Sequence, residues 1–355
     1  MPKNRRAPSR RRKPQPSLRE LDRLPLSREP HTWVDYVELL CLVNIDRQMS
    51  KADVLDRIGE RRDVGEADAF DDVGEAQREP KGDDADAGDG DHADWGLVPV
   101  ADDTYARKVD DWFRHIEYRE ATFGAYYPFY LSGDKDVLRR REDLTPEAKL
   151  YTYLLLSSNL RYVGQGGQTL TNDFEAVSKE VLRSFLPRDA EVHVFGSNAL
   201  GPGRYSGNLW TKVTTLAADI GETVHVLQRN FSPYDSGDFG LDLVGWVPSG
   251  DSAAGLLIVF GQCACTEEWE TKQHSSGPQV WRNVITFQHV PSNVVFIPFC
   301  LRDADGTWYK PQRIHSILVD RQRLLYYLQT TPRVLQSRPS LAVVESALAQ
   351  EESVF

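Results

Sequence analysis

Between His31 and Ile58 the apolar residues Trp33, Tyr36, Val37, Leu40 and Cys41 recur at helical spacing. Ser50 then stands where an N-cap belongs, ahead of Val54, Leu55 and Ile58. The pattern predicts two helices over residues 31–59, and any packed pair looks like this, so it assigns no DNA-reading role by itself. Order resumes at Asp102, where Val109, Trp112, Phe113 and Ile116 share one helical face. Glu117 and Arg119 fall on what reads as the solvated face of that helix. PEAKLYTYLLLSSNLRYV is apolar around nearly its full circumference and predicts a buried helix. GQGGQ is too glycine-rich to continue it. In TNDFEAVSKEVLRSFLP, Phe174, Val177, Val181, Leu182 and Phe185 line one face, with Asn172 or Asp173 as cap and Glu175 in the first turn, where a helix dipole favours a carboxylate.

The second half changes period. EVHVF (191–195) and TVHVL read as short strands, with an amphipathic helix over LWTKVTTLAADIG between them. Leu241 to Val247 reads as a strand, Pro248, Gly250 and Gly255 mark a turn, and Leu256 to Phe260 is apolar on both faces, as the central strand of a covered sheet requires. VVFIPFC is a second buried strand, IHSILVDRQRLLYYLQ predicts a helix, and residues 340–349 predict a short terminal one. The fold class expected is therefore α/β, a central mixed sheet flanked by helices, preceded by an N-terminal helical accessory region.

Composition sets the boundaries. Residues 1–30 are rich in Arg, Lys and Pro and read as a disordered basic arm, because they cannot bury enough surface to offset ordering. Residues 60–94, ending in KGDDADAGDGDHADW, read as an acidic flexible linker. The remaining expected units are the helical pair at 31–59, a helical accessory region at 95–165, an α/β domain at 166–335, and a C-terminal helix and tail at 336–355. The 355-residue chain carries a net charge of -11, which argues against coating nucleic acid by bulk charge but leaves room for a local basic groove. Four cysteines (Cys41, Cys263, Cys265, Cys300) look like reduced thiols, and no stretch is long enough to span a membrane or forms a secretory signal, so the cytoplasm is the expected location.

Asp242 lies inside the first central strand between Leu241 and Leu243, where burying a carboxylate is costly unless a metal or donor compensates it. The hairpin places it beside Gln262, so two oxygen ligands could share a divalent cation. The order of a glutamate-bearing helix, an Asp-bearing strand, a hairpin, a buried strand ending in a ligand pair, a helix and a buried strand resembles the PD-(D/E)XK nuclease superfamily over residues 170–330. The resemblance implies a restriction-endonuclease-like core and phosphodiester hydrolysis assisted by Mg²⁺ or Mn²⁺. Asp242 and Gln262 would hold the cation with the backbone from Phe260 to Cys263, and Glu175 would orient a water. It also implies a nucleic-acid partner, DNA ahead of RNA, and a restriction or phage-defence role with a defence-system protein as a further partner; no membrane partner is expected, since no apolar stretch is long enough to span one. Two positions depart from the pattern. Gln262 stands where the family has Glu, and Ala264 where it has Lys, so Lys272, or failing that Lys212, would supply the cation.

Three other readings compete. Cys263 and Cys265 with His274 hint at zinc, but a second ligand pair is missing. Cys263 as a nucleophile with His274 or His289 has no base at a readable spacing. A catalytically inactive scaffold or nucleic-acid-binding subunit that keeps the nuclease-like fold is the alternative from a different class.

Overall fold

The computed structural model describes residues 18–62, 99–196 and 203–352. Residues 1–17 of the expected basic arm and 63–94 of the expected linker lie outside them. The arm reading does not extend to residue 30, because Leu18, Leu21 and Leu24 are buried in the core and the Tyr36 hydroxyl donates to the Leu21 carbonyl at 2.7 Å. These three buried leucines supply the apolar surface that the arginines and prolines obscure.

The helical half comprises α1 (Pro30–Val43), β1 (Gln48–Ser50), α2 (Lys51–Arg62), α3 (Pro99–Phe123), β2 (Phe129–Leu131), β3 (Val137–Arg140) and α4 (Pro146–Ser157). Ser50 and Asp53 cap α2 reciprocally, Ser50 Oγ accepting from the Asp53 amide at 3.1 Å and Asp53 Oδ2 from the Ser50 amide at 2.7 Å. Helix α1 is buried around most of its circumference, Asp35 and Glu38 included. Those two acids meet Arg119 of α3, which is 2% exposed; the solvated face expected there is the inward one. Arg119 Nη1 donates to Asp35 Oδ1 at 2.6 Å and to Glu38 Oε1 at 2.9 Å. Arg321 closes the cluster with a forked pair of bonds to Asp35, at 3.0 and 2.7 Å. Hydroxyls of Tyr127, Tyr151 and Ser158 satisfy the remaining carboxylate lone pairs at 2.8, 2.9 and 2.8 Å. Burial alone would raise the Asp35 carboxyl, yet Arg321 and Arg119 hold it well below the usual range.

The second half runs α5 (Gly167–Phe185), β4 (Glu191–Val194), α6 (Leu209–Asp219), β5 (Thr223–Val224), β6 (Leu243–Val247) and β7 (Leu257–Cys263). It continues with α7 (Trp269–Lys272), α8 (Pro278–Trp281), β8 (Ile285–Thr286), β9 (Ser292–Phe296), β10 (Ile317–Val319), α9 (Arg321–Tyr327) and α10 (Ser340–Leu348). Five strands form one mixed sheet in the order β10-β9-β7-β6-β4. The β4/β6 and β6/β7 pairs are antiparallel, and β7/β9 and β9/β10 are parallel. The α/β class is therefore present. Alternation sorts the strands' side chains between two faces. Leu243, Val259, Val294 and Phe296 join the core that contains Phe174 and Val177 of α5 and the residues of α1 and α4. Val244, Trp246, Ile258 and Phe260 pack instead with Leu209, Val213 and Leu216 of α6. Among the described residues no helix is long and apolar enough to cross a membrane.

One expected element divides in two. Ile317–Val319 is a strand parallel to β9, and only from Arg321, behind an Asp320 N-cap, does the chain turn helical. Three successive aliphatic residues fit a strand end as well as a helix, and the capping aspartate marks the boundary.

Val259 is 2% exposed at the centre of the sheet. Val259→Asp is expected to abolish soluble expression, because an unpaired carboxylate there costs several kcal/mol. A soluble variant with the parent's far-UV circular dichroism would contradict that.

Candidate active site

The ends of β4, β6 and β7 meet the middle of α5, and the candidate residues collect there. Asp242 immediately precedes β6, one position before the strand proper. Its backbone is nonetheless fixed, its amide donating to Gly261 O at 3.0 Å while its carbonyl accepts from the Phe195 and Gly196 amides at 2.7 and 3.1 Å. The carboxylate is 7% exposed. Its Oδ2 accepts from Gln262 Nε2 at 2.6 Å and from the Cys263 amide at 2.7 Å. Burial, then the charges of Glu175 and Asp238, push the Asp242 carboxyl up from 3.8 to about 8, against the pull of the Cys263 N–H and the Lys272 charge.

Glu175 is also 7% exposed. Helix α5 begins at Gly167, with Gly166 in the left-handed region at φ 104° as its cap in place of the expected Asn172 or Asp173. Glu175 therefore sits in the helix interior, where the macrodipole does not account for it. Gly196 connects the two acids. A methyl group there would lie 3.2 Å from Glu175 Oε2 and 3.4 Å from Asp242 Oδ1, so the absent side chain keeps the space between the carboxylates open.

Gln262 lies within β7 and turns its amide nitrogen, not its oxygen, to Asp242. Its Oε1 faces Ser275 Oγ at 3.2 Å, and the single proton of that hydroxyl goes to one of two acceptors, Gln262 Oε1 or the nearer Lys272 O at 2.6 Å. A hydroxyl both donates and accepts, so Ser275 can serve either orientation of the Gln262 amide. Lys272 ends α7, half-buried, and its positive charge acts on Asp242. Lys212 is committed elsewhere. Its ammonium donates to Ser236 O and Gly237 O at 3.0 and 3.1 Å. Ala264, where the resembling family carries Lys, is fully buried beside Trp269, Val295 and Ile297.

Cys263 contributes its amide. Burial and the neighbouring acids hold its thiol well above the usual range, so the thiolate a metal needs is disfavoured. Burial does the same for Cys265. His274 is exposed and tilts against the His315 ring at 5.5 Å, and His289 is exposed as well. All four cysteines are free thiols. Among the described residues no three or more His, Cys, Asp or Glu side chains are grouped to hold a metal.

What the site offers is two buried carboxylates and a carboxamide around a glycine gap. Hard divalent cations prefer oxygen donors, and Mg²⁺ keeps several waters, so this sparse oxygen set fits such an ion better than it fits zinc. Gly196 and Ser275 carry no sequence signal beyond small size in loops; only the fold reveals their positions. No protein-family model, curated protein or solved structure matches the chain.

Proposed function

We propose that the protein is a metal-dependent nuclease with a restriction-endonuclease-like core, acting on DNA as an effector of restriction or phage defence. The observation that carries the reading is the convergence of Glu175, Asp242 and Gln262 around Gly196 with the charge of Lys272 acting on the same carboxylate. The sheet supports it: the acid-bearing helix is followed by β4, β6 and β7, antiparallel in turn with α6 and β5 inserted between the first two, and after short helices and β8 comes β9, parallel to β7.

Asp242, Glu175 and, once its amide has turned over, the Gln262 carbonyl would hold Mg²⁺ or Mn²⁺, which when bound polarises a phosphodiester and lowers the pKa of a bound water. The chain's own groups do the rest. Asp242 gives up its proton before it can serve as a ligand, so cation affinity rises with pH up to about 8. Lys272 places an ammonium where charge builds on the attacked phosphate. Ser275 holds the Gln262 amide, and Cys263 N–H fixes the Asp242 rotamer.

A second reading, an inactive scaffold on the same fold, is favoured by the bond from Gln262 Nε2 to Asp242, which satisfies the acid within the chain. A cleavage assay on plasmid and oligonucleotide substrates with Mg²⁺, Mn²⁺ or EDTA separates the two. The expected result is cation-dependent cutting, lost by 10³-fold or more in Asp242→Ala, on the order of what removing a metal or charge-stabilising group costs. Lys272→Ala is expected to slow turnover about 10²-fold with cation affinity unchanged. Equal cutting by the parent and Asp242→Ala would hand the function to the scaffold reading.

A further inference from the structure

A groove runs along α5 away from the two carboxylates. Its first part, about 220 Å³, lies beside Glu175 and is bordered by Lys179, Glu180, His193, Arg204 and Arg338. A second part of about 550 Å³ continues past Glu180 and Arg338 to Arg333, Thr330 and Ser337. The two share Glu180 and Arg338, so the track is continuous.

Its cations are differently committed. Arg204 is paired, Nε to Asp219 Oδ2 at 2.6 Å. Lys179, Arg333 and Arg338 take part in no ion pair among the described residues. Lys179 follows Glu175 by four residues on α5 and therefore shares its face. Arg338 Nε is buried and meets no acceptor among the described residues. A buried donor of that kind is costly unless a ligand or solvent oxygen satisfies it. Among the described residues Glu180 is the one acid in the track besides Glu175.

In a chain of net charge -11, three uncommitted cations spread over two adjoining cavities, the first of them lined by Glu175, mark a place for an extended polyanion rather than a single anion. The geometry points to this groove as the track for the sugar–phosphate backbone of one nucleic-acid strand, with Lys179 and Arg338 holding phosphates next to the one at Asp242 and Arg333 holding one further along. The inference rests on the nuclease reading for its choice of polyanion. Phosphate contacts of this kind position a strand without reading its sequence.

The test is fluorescence anisotropy in EDTA, between 50 and 200 mM salt (a range of the order over which such contacts are resolved), with labelled single-stranded DNA, single-stranded RNA of the same sequence, and duplex DNA. Lys179→Ala and Arg338→Ala are each expected to weaken binding about fivefold to tenfold and to flatten the plot of log affinity against log salt by about one. Lys179→Arg should restore the parent's affinity, which a merely folded-state effect of the alanine would not do. Asp242→Asn should bind as tightly as the parent or more so. Affinity and salt slope unchanged in both alanine variants, or no oligonucleotide bound by the parent, would overturn the inference. Binding that depends on Lys179 and Arg338 in a protein that never cuts would leave this groove standing and remove the nuclease reading. Asp242-dependent cutting with binding insensitive to both cations would do the reverse. The three probes report which nucleic acid the track accepts.

Discussion

Asp242→Asn is expected to make the cation-free protein more stable at pH 8 than the parent, and to leave the two alike near pH 4. The direction follows from proton linkage. The folded carboxyl titrates near 8 against 3.8 in the unfolded chain. Between those values the folded state holds a proton that unfolding releases, so the parent's stability falls as pH rises, by about 1.4 kcal/mol per unit for this group. Summed over the window the effect is on the order of 5 kcal/mol, and it levels off above pH 8. Asparagine is neutral throughout and can still accept from Gln262 Nε2 and the Cys263 amide, so the variant lacks the slope. Urea denaturation of both proteins from pH 4 to 9 in EDTA measures it. Adding Mg²⁺ at pH 8 should raise the parent's midpoint and leave the variant's unchanged. A parent that gains stability relative to the variant between pH 5 and 8 would show that Lys272 and the Cys263 amide outweigh burial and Glu175.

Arg321→Ala, at the start of α9, should be the most destabilising change in the buried cluster that ties the second half to Asp35 and Glu38 of α1. Arg321 is fully buried, and it makes the forked bond to Asp35 while its Nε donates to Pro298 O at 2.8 Å. Removing it leaves two buried carboxylates sharing Arg119 and a carbonyl without its donor. Breaking a buried pair from one side costs about 3–5 kcal/mol. Arg321→Met with Asp35→Asn should recover part of that loss, because neither partner is then left charged and alone. Chemical denaturation of the singles and the double gives the coupling energy directly. An Arg321→Ala protein within about 1 kcal/mol of the parent would mean that Arg119 alone neutralises the cluster.

Helical spacing in the sequence located α1, α4 and α6 because each repeats its apolar residues over several turns. The hairpin of β6 and β7 was readable from two apolar runs around a glycine-rich turn, and its register places Leu243 opposite Gly261, which sets Asp242 beside Gln262. Glu175 was readable as a helical acid but not as a buried one, because α5 starts at Gly167 through a left-handed glycine rather than at the Asn172 or Asp173 that resemble caps. Arg119 was misread for a related reason. A lone arginine among polar neighbours looks solvated, and its partners on α1 are 81 and 84 residues away in sequence. Gly196, Ser275 and the Lys179–Arg338 groove depend wholly on how distant segments meet, and local pattern carries no information about that.

The ends of the described chain are tied to each other as well as to the core. The Gln350 carboxamide bonds both the amide and the carbonyl of Leu18, at 2.9 and 3.0 Å, and Glu352 pairs its backbone with Val43 and Ile45. Asp35 likewise waits for Arg321, 286 residues later. During synthesis Arg119 can meet Asp35 and Glu38 once α3 has emerged, but the forked bond from Arg321 to Asp35 waits until nearly the whole of this sequence has been translated. Chain closure over such separations is entropically slow. The helical layer is consequently completed late, and fragments released before residue 321 lack one of the two guanidinium groups that hold Asp35, which leaves them the more open to chaperones and proteases.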